Sequence, residues 1–212
     1  MSVEAPATLS RRAVILWCAI FAATFVWSAI APHDRATWWL EVAPALLALG
    51  ILAATARRAP LTPLVYWLVL VHCIVLMVGG HYTYAEVPLF DALRELFGWE
   101  RNNYDKLGHL AQGFVPAMVA REVLLRATTL RRGWLVAMVL CVCLAISAFY
   151  ELIEWWVALA SEEAADAFLG TQGYVWDTQS DMMFALIGAS TALLLLSRWH
   201  DAALRRHGLA TP

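Results

Sequence analysis

The chain has 212 residues, of which 61% are hydrophobic and 15% charged, with a formal net charge of -2 and a mean hydropathy of +0.63. A soluble domain is roughly half apolar and about a quarter charged, so the surplus apolar surface has to face lipid. Nothing in the near-neutral balance suggests nucleic acid, and the 11 Trp residues suit a membrane-water boundary, where indole rings concentrate.

Six apolar segments follow in chain order, and the expected fold is an all-α membrane protein with six transmembrane helices. A cytoplasmic tail, residues 1–12, precedes the first helix at about 13–31. Ser10-Arg11-Arg12 before it and Ala29-Ile30-Ala31 at its end resemble a secretory signal and its cleavage site. Pro32 would then follow the cut, where signal peptidase accepts proline poorly, so a retained helix is expected. The next helices are expected at about 40–56 and 61–79, with Gly79-Gly80 closing the third. The remaining three are expected at about 105–125, 134–160 and 175–199, before a cytoplasmic tail, residues 200–212. Each run is near the ~20 residues that cross a hydrocarbon core. The runs lack the alternation of barrel strands.

The third loop, Gly80 to Tyr104, is the longest. Its stretch Leu89-Phe90-Asp91-Ala92-Leu93-Arg94-Glu95-Leu96-Phe97 has helical apolar spacing and predicts a short helix lying along the membrane surface. Arg11, Arg12, Arg57, Arg58, Arg121, Arg126, Arg131, Arg132, Arg198, Arg205 and Arg206 fall on one side of the six crossings. Only Arg35, Arg94, Arg101 and Lys106 fall on the other. The positive-inside rule then places both termini in the cytoplasm of a bacterial inner membrane. Membrane lipids are the only partner this reading names.

Cys18, Cys73, Cys141 and Cys143 all lie in apolar runs. Their spacing fits neither a CxxC redox pair nor a zinc knuckle, and buried thiols acting as small hydrophobes are expected.

Ionisable residues inside membrane helices are expensive and read as functional by default. Asp105, His109 and Gln112 form one stripe at i, i+4 and i+7 of the fourth helix. Glu151 and Glu154 share a face of the fifth, and Asp177 and Asp181 share a face of the sixth. His81 closes the third helix on the same side. Two imidazoles and several carboxylates at one depth suit a divalent metal such as zinc, iron or manganese. The candidate ligands are His81, Asp105, His109, Asp177 and Asp181, with Glu151 or Glu154 as general base. Plainer readings stand beside this. Asp105 and Asp177 can serve as helix N-terminal charges, and Asp105 with His109 as a structural pair. Glu122 with Arg126 reads as a surface ion pair. Tyr82, Tyr84, Trp155 and Trp156 read as an interfacial belt.

Several blocks carry a resemblance. Tyr104-Asp105-Lys106-Leu107-Gly108-His109-Leu110-Ala111-Gln112-Gly113-Phe114-Val115-Pro116, with Ala120-Arg121-Glu122 after it, resembles the YjdF-type family of bacterial inner-membrane proteins. So do Ser147-Ala148-Phe149-Tyr150-Glu151-Leu152-Ile153-Glu154-Trp155-Trp156, Asp166-Ala167-Phe168-Leu169-Gly170-Thr171-Gln172-Gly173, Trp176-Asp177-Thr178-Gln179, Asp181-Met182 and Ile187-Gly188-Ala189. The resemblance implies an inner-membrane location and a helical architecture, and no reaction. Asp105, Lys106 and His109 also resemble, more distantly, a helix start of VanZ-like membrane proteins. That likeness implies the cell envelope and no more. Three functions remain in play: an enzyme acting on a lipid-linked substrate, a proton-coupled carrier, and a structural or regulatory membrane protein.

Overall fold

Local chemistry explains where most helices begin and end. The computed structural model describes residues 9–160 and 172–206. The block Asp166 to Thr171, residues 1–8 and residues 207–212 lie outside the described residues. Ser10 opens α1 (Arg11–Ala29) by accepting the Ala13 amide at 3.2 Å. Asp34 opens α2 (Arg35–Thr55) by accepting the Thr37 amide at 2.6 Å, which holds its carboxyl below the ordinary range. This cap starts α2 five residues ahead of Leu40, where the apolar run begins. Prolines at the first helical position, where an amide hydrogen is not needed, open α3 (Pro63–Tyr82) and α4 (Pro88–Phe97). Gly98, at φ 65°, closes α4 in the left-handed region that glycine tolerates. Helices α5 (Tyr104–Ala127), α6 (Arg132–Ala160) and α7 (Asp177–Arg206) complete the described elements.

Five of these seven helices are long and apolar enough to cross a membrane: α1, α2, α3, α6 and α7. Their outward faces carry Ile15, Leu47, Trp134, Leu159, Leu194 and Trp199, all exposed. Helix α5 is too polar to count among them, yet it is the most enclosed. It packs against α3, α6 and α7 and buries Asp105, Lys106, His109, Arg121 and Glu122. A helix screened from lipid by its neighbours has no need of an apolar surface. Helix α4 buries none of its residues, and Leu89, Leu96 and Phe97 stay exposed.

The tightest crossing is between α5 and α7, which run parallel. A Cβ on Gly113 would collide with the carbonyl of Ala185, and one on Gly188 with the carbonyl of Leu110. Absent side chains let the two backbones touch, as small residues do between membrane helices.

Three expectations are corrected here. Gly79 and Gly80 do not close α3, which continues to Tyr82. They are packing surfaces within it: Gly80 faces Glu41 and Val42, and Gly79 faces the ring of Tyr84. Tyr84 does not belong to an interfacial belt. Its ring is buried in the hollow left by Gly79 and Gly108 and lies against Tyr104, with centroids 5.5 Å apart. Cys73 and Cys143 are buried, but Cys18 and Cys141 are exposed on outward faces.

The glycine contact predicts unequal costs for one substitution type. Gly113→Ala or Gly188→Ala should each destabilise by about 1–3 kcal/mol, because the added methyl meets backbone that cannot yield. Gly50→Ala in α2, where nothing lies within 4 Å, should be neutral or stabilising. Thermal unfolding of the purified protein in detergent checks this, and equal melting temperatures for all three variants would refute the close contact.

Candidate functional site

The polar residues of α5, α6 and α7 converge at the end of the bundle where α5 and α7 begin. On α5, Asp105, Lys106 and His109 are buried within the first two turns. His109 Nδ1 lies 3.1 Å from Gln112 Oε1. An amide oxygen only accepts, so Nδ1–H donates to it and the other ring nitrogen points at the carboxylates. Nε2 is 3.3 Å from Asp105 Oδ1, and 3.9 Å from both Glu151 Oε1 and Asp181 Oδ1. Metal-binding histidines are oriented in the same way, by a hydrogen bond at the nitrogen remote from the ligand cluster.

Two overlapping ligand groups share His109. Asp105, His109 and Asp181 offer one atom each, all within 4.8 Å of one another, and His109, Glu151 and Glu154 do the same. They differ in what surrounds them. The first group is held by cations. Lys106 Nζ donates to Asp177 Oδ1 at 2.7 Å and to Asp181 Oδ1 at 2.5 Å, and lies 3.6 Å from Asp105. Arg101 reaches Asp177 at 2.5 Å and Asp105 at 3.5 Å. In the second group, neither Glu151 nor Glu154 forms an ion pair with Lys or Arg among the described residues. Both are buried, and Glu151 Oε1 has no hydrogen-bond partner. A buried polar atom without a partner is uncommon in native structures and asks for an explanation such as an ion or a water.

His81 does not join either group. Its Nδ1 lies 3.0 Å from the Ser28 carbonyl, and its ring packs on Trp27 at 4.6 Å, so it serves the α1–α3 contact. Asp177 sits beside the first group and is occupied by Arg101 and Lys106.

Glu41 is a member that the sequence reading passed over. It is buried on α2 and accepts the Tyr150 hydroxyl at 3.1 Å, which ties α2 to α6 beside the cluster. A lone carboxylate in the apolar run Trp38-Trp39-Leu40-Glu41-Val42 was the available signal. Asn102 was also missed. Its side chain bonds the Val87 carbonyl and Asp91, while its backbone exchanges two bonds with the Gln172 amide group, at 3.0 and 2.9 Å. It therefore ties α4 and the segment before α7 to the start of α5.

A second buried polar cluster occupies the opposite end of α5, and it corrects the reading of Glu122 as a surface residue. Glu122 is fully buried. It accepts the Thr62 amide at 2.9 Å, the Thr62 hydroxyl at 2.7 Å, and bonds to Arg126 at 2.5 Å and His200 Nε2 at 2.9 Å. Arg121 Nη1 lies 3.0 Å from His200 Nδ1. A guanidinium only donates, so Nδ1 accepts and Nε2–H donates to Glu122. The carboxylate joins the start of α3 to α5 and α7, which no sequence spacing reveals.

A chain whose described elements are all helices, several of them apolar and of membrane length with buried ionisable groups between them, is a multi-pass membrane protein. The chain belongs to the family described as Predicted membrane protein (DUF2238), which matches residues 13–202. It is 56% identical over 187 residues to the Inner membrane protein YjdF of Escherichia coli (strain K12), covering 88% of this chain and 90% of that relative. No solved structure matches.

Two stability outcomes follow. Lys106→Met should cost about 3–5 kcal/mol by stranding buried carboxylates, and adding Asp181→Asn should restore part of that loss. Simple additivity in a double-mutant cycle would rule out the pair. At the other end, Glu122→Leu should cost more than Arg126→Gln, because the carboxylate holds Thr62, Arg126 and His200 together while Arg126 is one of its several partners. Comparable denaturation midpoints for the two variants would contradict a buried hub.

Proposed function

We propose that His109, Asp105, Asp181, Glu151 and Glu154 form a divalent-metal site in the outer half of an inner-membrane protein, acting on a lipid-linked or envelope substrate. The observation that carries this is that His109 belongs to two ligand groups, one with α7 and one with α6, each with its atoms within 4.8 Å of one another. The partnerless Glu151 Oε1 supports it. One imidazole among carboxylates suits manganese, iron or zinc. His109, Asp105 and Asp181 would hold the ion, and Glu151 or Glu154 would take a proton from the attacking water or hydroxyl. When bound, such a metal supplies Lewis acidity and lowers the pKa of a coordinated water. Lys106 and Arg101 position the carboxylates of α7.

The topology belongs to the same proposal. Helix α5 is a further crossing, the fourth in chain order, which brings the total to six: its 24 residues span about 36 Å, and neighbours screen its charges. Helix α4 lies on the outer surface with Leu89, Leu96 and Phe97 towards lipid. Both termini are cytoplasmic, as the distribution of arginines indicates. The cluster around His109 then faces the periplasmic half.

A structural role is the second reading, favoured by one observation: Lys106 and Arg101 already neutralise Asp177 and part of Asp181.

Elemental analysis of the purified protein separates the two. The metal reading expects roughly stoichiometric manganese, iron or zinc, lost in His109→Ala and reduced in Glu154→Gln. Metal-free wild-type protein that also fails to take up any of these ions on dialysis would overturn the metal reading.

A further inference from the structure

A second region of the molecule has the chemistry of an amphiphile site. Helices α6 and α7 run antiparallel at the end of the bundle opposite His109, and a groove of about 300 Å³ lies between them. Its polar end carries Arg132, the first residue of α6, and Arg198 of α7. Its other end is walled by Leu135, Val136, Leu140 and Leu194. From Arg132 to Leu140, and from Arg198 back to Ser190, each wall extends about 12 Å at the helical rise. Ser190 and Ser197 also line it, but their hydroxyls are turned to the Leu186 and Leu193 carbonyls of their own helix. Charge at one end and a mainly apolar wall along the rest is the profile of a phospholipid lying against a membrane helix pair.

The two arginines are available. Neither Arg132 nor Arg198 has a side-chain partner among the described residues, and both are exposed. The acidic lining residue, Asp201, is already neutralised by Arg121 at 2.5 Å. Arg132 also sits at a helix N-terminus, whose dipole and free amides add positive potential. The groove therefore presents net positive charge with no protein counter-ion at the edge of an apolar, lipid-facing wall. We propose that this groove holds one anionic phospholipid, its phosphate between Arg132 and Arg198 and an acyl chain along Leu135, Leu140 and Leu194. The bound lipid would bridge α6 and α7.

The test uses full-length protein reconstituted in nanodiscs of equal parts phosphatidylglycerol and phosphatidylcholine, then released for native mass spectrometry. The expected result is selective retention of one phosphatidylglycerol. Retention should fall roughly five-fold for each arginine removed in Arg132→Gln and Arg198→Gln. Arg57→Gln/Arg58→Gln removes the same total charge from another loop and should leave retention unchanged. Val136→Trp, which keeps both arginines and fills the groove, should also lower retention, and it carries the test if the arginine double variant does not fold. Equal retention of the two lipids by the wild type, or equal losses from the Arg57/Arg58 and Arg132/Arg198 variants, would overturn the proposal.

Discussion

The backbone contact between α5 and α7 is the constraint on which the rest depends. Gly113 lies two turns beyond Lys106, and Gly188 two turns beyond Asp181. With no Cβ at either position, the parallel helices close until carbonyls meet α-carbons. At that separation a lysine on one helix reaches two aspartates on the other, and His109 comes within 3.9 Å of Asp181. Larger residues at the crossing would hold the helices apart. The ion pairs at the end would then lengthen into unpaired buried charges, the costlier state.

This contact also explains how so polar a helix can sit inside an apolar bundle. Helix α5 carries one buried cluster near its start, around Lys106, and another near its end, around Glu122. The intervening 15 residues correspond to about 22 Å. Helix α7 answers at both levels, with Asp177 and Asp181 above and His200 and Asp201 below. Between the two levels the buried residues are apolar or glycine, among them Gly113, Val115, Ala117 and Met118 on α5 and Ala185, Gly188, Ala189 and Ala192 on α7. The central carboxylates differ. Both oxygens of Glu122 are bonded, as expected of a structural fastening, although Arg126 Nε beside it lacks a partner. Around His109 it is a carboxylate oxygen, Glu151 Oε1, that lacks one.

The membrane character and most of the buried ionisable residues were legible in the chain. Asp105, His109, Glu151, Glu154 and Asp181 stand out because an ionisable group in an apolar run is costly anywhere in lipid. The fate of such a group depends on its neighbour across the helix pair, which spacing along one helix does not disclose. His81 has the same signal as His109 and turns to the Ser28 carbonyl instead. Glu122 and Arg126 have the spacing of a surface pair, yet α3 and α7 cover the carboxylate. Tyr84 has the composition of a belt residue and fills a hollow between two glycines.

Composition and periodicity by themselves settled what this protein must be surrounded by, because apolar excess and segment length are sums over the chain and need no partner. Which charges meet is a property of pairs of helices. Lys106 with Asp177 and Asp181, Glu41 with Tyr150, and Glu122 with Thr62 and His200 join residues 60 to 109 positions apart in sequence. Only the packed structure decides those pairings, since they depend on how closely two backbones can approach.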